Sequence, residues 1–222
     1  MANRPATIPT FKPDGSAFDL LDPKASDISF ADMANTLSKV ARFNGLYRCP
    51  AYPVAQHCVM GADALFRETG DGLAAGYFLL HDGHEYVLGD FTRPAVDLIQ
   101  HHIGKLAADA GLEGADFVQR LAHRAIASGK RSIDAAIYQA AELPDIEAVP
   151  TYSQKIRDMD DRMLIAEAAA LFGARPDSAC LPRISLPPPK LVGAIEPWGA
   201  MKAELAFLER LQRYLGISAR PA

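Results

Sequence analysis

Apolar residues recur at helical spacing along most of the chain, and no stretch alternates long enough to predict a useful strand. In SFADMANTLSKVARF, Phe30, Met33, Leu37 and Val40 fall on one face, and Ser29 with Asp32 forms a capping-box-like start. The Asn-Gly and two prolines of FNGLYRCPAYP break that helix. A second helix is predicted from Pro53 to about Thr69, with Val54, Val59, Ala62 and Leu65 inward. A third follows Asp71-Gly72 and continues through AAGYFLLHDGHEYVLG. Segments 95–109, 114–128 and 132–142 read as shorter helices separated by Gly or a charged turn. QKIRDMDDRMLIAEAAALFG, from about Ser153, is strongly helical, with Gly173 as its C-cap. A final helix over 197–215 carries Trp198, Met201, Leu205, Leu208, Leu211 and Leu215 as a stripe that suits core or dimer packing.

The predicted class is all-α. Residues 1–27 lack period and read as an extended arm, pinned by Phe18, Leu20 and Leu21. Residues 28–175 hold the helical core, and 176–222 a proline-rich connector, RISLPPPK, read as unstructured, with the packing helix.

Composition narrows the function classes. The 222 residues are 49% hydrophobic and 23% charged, as in an ordinary globular protein. A net charge of −4 and no Lys/Arg-rich run argue against polymeric nucleic acid or an anionic membrane as partner. Cys49, Cys58 and Cys180 form no CxxC pair and leave an odd count, which points to a reducing compartment. With no apolar leader at the N-terminus and no membrane-length apolar run, a cytoplasmic location is expected.

Against this background LLHDGHEYVLGD, Leu79–Asp90, stands out: an apolar run ends in His81, Asp82, His84, Glu85 and Asp90. Burying such groups unpaired is costly, and a metal ion is one partner that removes the cost. His81 and Glu85 are i,i+4 neighbours on a helix. His81 and Asp82 diverge by about 100° and converge on one ion only where the helix ends or kinks, which Gly83 permits. His57 sits mid-helix among apolar neighbours, and Asp158, Asp160 and Asp161 lie in an otherwise apolar late helix. Imidazole with carboxylate suits Mn, Fe, Co or Zn.

A His, a His-Asp pair and a distant Asp, in that order, resemble the ligands of the HD superfamily of metal-dependent phosphohydrolases. The chain is similar in particular to the YfbR-like 5′-deoxynucleotidase family. The likeness rests on RF-x-G (Arg42–Gly45), YPVAQH (Tyr52–His57), LLHD-x-x-E-x-x-x-GD (Leu79–Asp90) and the helix around Asp160, and spans roughly Ile28 to Leu171. Arg157, Asp160, Leu164 and Glu167 fit the family pattern for the last helix, so Asp160 is preferred to Asp158 and Asp161.

The resemblance implies an HD-domain helical bundle with one divalent transition metal (Mn, Co, Fe or Zn, with Mg less suited) on His57, His81, Asp82 and Asp160. Glu85 would accept or relay the proton of a water. Asp90 would orient the nucleophile, protonate the leaving oxygen or contact the sugar. Arg42 would hold phosphate and Phe43 border the base, and a homodimer is usual. The implied substrate is a nucleotide, first a deoxyribonucleoside 5′-monophosphate. GDFTRPAVD lacks the Lys that relatives often carry after GD, and Arg93 lies nearby, so a deoxynucleoside triphosphate stays open as the alternative substrate. Two further readings remain, a di-iron oxygenase and a non-catalytic metal-binding module. His84 is the extra ligand-type residue near the motif, and the choice is between a second-metal or supporting role and a partly exposed side chain. His101, His102 and His123 read as surface residues.

Overall fold

A computed structural model describes residues 7–175 and 177–220. The first six residues of the expected arm, Pro176 at the start of the connector, and residues 221–222 lie outside the described residues. The fold is all-α apart from a short hairpin. Strands β1 (Pro9–Phe11) and β2 (Ala17–Asp19) pair antiparallel, with Thr10 opposite Phe18. The helices are α1 (Phe30–Leu37), α2 (Val54–Thr69), α3 (Gly72–Leu80), α4 (Glu85–Leu88), α5 (Arg93–Asp109), α6 (Ala115–Ala140), α7 (Pro150–Phe172) and α8 (Ala200–Leu215). Among the described residues no helix is long and apolar enough to cross a membrane.

Local signals explain most boundaries. The Ser29 side chain accepts from the Asp32 amide and starts α1, and Asp71 does the same for α3 through Ala74. Left-handed Gly70 and Gly173 end α2 and α7. Helices α2 and α3 pack face to face, α7 lies across both, and α8 closes the core over α1, α2 and α3. Phe78, Leu79, Leu80, Ile137, Met159, Met163 and Phe207 are fully buried in it.

Three expectations are corrected and one is refined. The arm folds into a hairpin pinned by Phe18, which is completely buried with its ring edge-on to Tyr86, whereas Leu21 is exposed. The break expected between 128 and 132 is absent, and α6 runs through Gly129 as one helix, because nothing crowds that exposed position. The third helix stops at Leu80, and α4 begins only at Glu85. The connector forms no helix or strand but is strapped down. Arg162 donates to the carbonyls of Pro187 and Pro188, Glu68 accepts from the Lys190 amide, and Gln56 bonds the backbone of Glu196 and Trp198.

Candidate metal centre

The interruption between α3 and α4 is what builds the site. After Leu80 the backbone tightens: the amide of Gly83 donates to Leu80 and that of Glu85 to Asp82. His81 and Asp82 therefore leave the helix together and turn to one side, where a continuous helix would splay them. Gly83 serves by its size. A Cβ there would come within 2.9 Å of both the Ile137 methyl and the Leu80 carbonyl oxygen. The motif is thus pressed against α6.

His57 from α2, His81 from the turn and Asp160 from α7 meet. Their Nε2, Nε2 and carboxylate atoms all lie within 4.8 Å of one another. The two Nε2 atoms are 3.4 Å apart, and Asp160 Oδ1 is 3.4 Å from that of His57 and 3.8 Å from that of His81. Asp82 Oδ2 completes the group at 3.3 Å from His81 Nε2 and 3.7 Å from His57 Nε2. Neighbouring carboxylates go elsewhere: Asp158 accepts from Gln154, and Asp161 pairs with Arg93. Cys58 adds a sulfur near His81 and Asp82, but burial pushes its thiol up to about 11, which keeps it protonated.

Each imidazole is oriented from behind. His57 Nδ1 lies 2.7 Å from Glu167 Oε1, and His81 Nδ1 lies 2.6 Å from the Phe78 carbonyl oxygen. Both contacts place the Nδ1 proton outward and leave the two Nε2 lone pairs facing each other, the arrangement that metal-ligating histidines adopt. Two facing lone pairs beside two carboxylates fit a divalent cation of borderline hardness.

The electrostatics point the same way. Glu167, Asp82, Asp160 and Glu85 act on one buried guanidinium, Arg42. Burial pushes the Asp160 carboxyl up, but the neighbouring His57 and His81 imidazoles outweigh it and hold the carboxyl well below 3.8. Burial opposes the charge on His81, and Asp82 and Asp160 overcome it and raise the imidazole well above 6.5. Protons on the histidines thus stand where a cation would. Burial, with Asp82 and Asp90 nearby, raises Glu85 well above 4.5, and burial raises Asp90 as well.

The remaining expected residues fall as follows. Arg42 donates from Nε to Glu167 Oε2 and from Nη1 to Asp82 Oδ2, each at 3.1 Å, and Nη2 lies 3.7 Å from Asp160 Oδ1. Part of its fork is therefore engaged with the ligand carboxylates themselves. Phe43 and Asn44 hold left-handed backbone angles, uncommon for a bulky aromatic. The Phe43 ring packs edge-on to Phe172 with centroids 5.3 Å apart. Asp90 does not cap α5, whose N-cap is Thr92. His84 is buried, in place of the partly exposed side chain weighed from sequence, and its Nδ1 lies 2.9 Å from Asp134 Oδ1. His101, His102 and His123 are exposed.

Glu167, Tyr52 and Asp134 have structural roles that the sequence pattern did not assign. Glu167 is fully buried and takes His57, Arg42 and the Tyr52 hydroxyl at once. Its signal was available, because it stands two turns from Asp160 on α7. Asp134 gave none, since the expected break in α6 hid its register.

No protein-family model matches the chain. It is 34% identical over 191 residues to the uncharacterized protein RCAP_rcc00048 of Rhodobacter capsulatus, an alignment covering 81% of this chain and 88% of that protein.

Proposed function

The chain belongs to the same family as RCAP_rcc00048 of Rhodobacter capsulatus, and from the chemistry of its own site we propose that it is a metal-dependent phosphohydrolase of the HD type. The substrate proposed is a nucleotide phosphate ester, first a deoxyribonucleoside 5′-monophosphate. The observation that carries this reading is the convergence of His57 Nε2, His81 Nε2 and Asp160 within 4.8 Å, with Asp82 alongside and a buried, raised carboxyl at Glu85.

His57, His81, Asp82 and Asp160 would hold one divalent ion of Mn, Co, Fe or Zn. When bound, the ion supplies Lewis acidity toward a water and toward a phosphate oxygen. The chain's own groups do the rest. Glu85 accepts the water's proton, a task that suits a carboxyl whose proton affinity burial has raised. Asp90, its carboxyl raised by burial, stands as the donor toward a leaving oxygen. Arg42 keeps N–H groups beyond those given to Glu167 and Asp82, and offers them to the phosphate. Phe43 borders the base.

The test is phosphate release by metal-stripped protein reloaded with Mn, Co, Fe, Zn or Mg, across deoxy- and ribonucleoside 5′-monophosphates and triphosphates, with Asp82→Ala as control. Orthophosphate from monophosphates, abolished in the control, is the expected result. Inorganic triphosphate would replace the substrate assignment, and no release with any metal would overturn the reading.

A further inference from the structure

Among the described residues, the buried side-chain atoms with no hydrogen-bond partner are His84 Nε2, Glu85 Oε2 and Tyr86 Oη. They are consecutive in sequence. His84, Glu85 and Asp82 offer one ligand atom each within 4.8 Å of one another, and His84 and Glu85 are 6% and 4% exposed. Leaving a buried polar atom unpaired is costly, so two in adjacent residues without compensation need a reason.

Three features identify what would compensate. His84 repeats the arrangement of the first pair of histidines: its Nδ1 is engaged by a carboxylate, Asp134 Oδ1 at 2.9 Å. That contact places the proton on Nδ1 and leaves Nε2 as a bare acceptor aimed inward. Glu85 presents an oxygen to the same space. With Glu85 ionised, its oxygen and His84 Nε2 are two acceptors that cannot satisfy each other, and a cation is the occupant that answers both. Asp82, the third member, already pairs through Oδ2 with His81 and Arg42, and a carboxylate has two oxygens with which to join neighbouring centres.

We propose that Asp82, His84 and Glu85 form a second divalent-cation site, adjoining the first through Asp82, with Asp134 as the residue that positions His84. One nitrogen and carboxylate oxygens suit Mn, Fe, Co or Zn. The fold is arranged for it. Asp134 lies one turn before Ile137 on α6, and Ile137 is the side chain that Gly83 presses against. The contact that shapes the His-Asp turn therefore also brings Asp134 to His84. Glu85 Oε2 serves the second ion, and its other oxygen stays available for proton transfer. The inference rests on the first metal centre of the proposed function only through the shared Asp82.

The experiment counts ions. Metal-stripped full chain is dialysed against Mn(II) up to saturation, bound Mn is measured by elemental analysis, and the electron paramagnetic resonance spectrum is recorded. Two Mn per chain with an exchange-coupled signal are expected for the wild type. His84→Gln should bind one Mn and lose the coupling. Asp134→Asn should weaken the second site about 10–100-fold and leave the first unchanged, which keeps the test decisive if the His84 variant misfolds. Saturation at one Mn in the wild type, or two Mn retained in folded His84→Gln, would overturn the proposal. Two Mn bound with no phosphate release would sink the hydrolase reading and leave this site standing. One Mn with phosphate release would do the reverse.

Discussion

Glu167 Oε1 lies 2.7 Å from His57 Nδ1, and both side chains are 0% exposed. The same carboxylate accepts from Tyr52 and Arg42, so one residue of α7 fixes a ligand of α2 and the guanidinium that spans the site. Glu167→Gln keeps the shape and removes the charge. Affinity for Mn(II) should fall about 10–100-fold, because a neutral amide oxygen replaces the carboxylate that orients the ring and raises its basicity. Stability should drop by about 3 kcal/mol, as Arg42 loses a buried partner. Isothermal titration and chemical denaturation measure the two separately. Unchanged Mn affinity would show that Glu167 does not orient His57.

The metal-free protein should be most stable on the acid side of neutrality. Burial raises the Glu167 carboxyl, but Arg42 and His57 outweigh it and hold it below 4.5, and Asp160 lies further below its own usual value. Stability from these groups is present above their unfolded pKa values and is lost as pH falls through the folded ones. Burial lowers His57 and His81, yet their acidic neighbours leave both above 6.5, so their contribution is complete below 6.5 and lost as pH rises. Glu85, raised above 4.5, adds to the same alkaline loss. The melting temperature without metal should therefore peak between roughly pH 4.5 and 6.5 and decline toward pH 9. Loading with Mn should flatten the alkaline limb, since bound imidazoles carry no Nε2 proton. A flat alkaline limb before loading would contradict the paired-histidine picture.

The N-terminal hairpin should behave as part of the core. A two-stranded hairpin of this size is marginal alone. Phe18 is completely buried and its ring centroid is 6.2 Å from that of Tyr86, next in sequence to Glu85. Phe18→Ala should cost about 3–5 kcal/mol, read by urea denaturation. A loss below about 1 kcal/mol would show that the hairpin is only loosely docked.

Helix-period signals were strong where one face is apolar, and α1, α2, α7 and α8 appear where Phe30, Val54, Ile156 and Leu205 placed them. The convergence of His57, His81 and Asp160 was legible because they are polar residues set inside apolar faces. What failed was long-range. Phe18 was legible as an anchor of the arm, but nothing local to it names α4 as its partner, and nothing local to Asp134 tells that it reaches His84. The connector's prolines announce an absence of helix, but its anchorage comes from Arg162 and Glu68, which lie on other elements. Gly83 was expected for backbone freedom and is needed for space.

Two glycine-to-alanine changes should move stability in opposite directions. Gly129 lies within α6, and a Cβ there meets nothing within 4 Å. Ala gains helix propensity without a clash, so Gly129→Ala should stabilise by about 0.5–1 kcal/mol. Gly61 lies within α2, where a Cβ would stand 2.1 Å from Phe78 Cε1 and 2.4 Å from Cζ. The same propensity gain is then outweighed by overpacking, and Gly61→Ala should cost about 1–3 kcal/mol. The Phe78 ring cannot retreat freely, because its centroid is 4.4 Å from that of His81 and 5.5 Å from that of His57. Displacing it also strains the Phe78 carbonyl that orients His81. Gly61→Ala should accordingly weaken Mn binding, whereas Gly129→Ala should leave it alone. Paired thermal melts with and without Mn would separate the effects, and a Gly61→Ala protein as stable and as tight-binding as wild type would refute the α2–α3 contact as a determinant of the site.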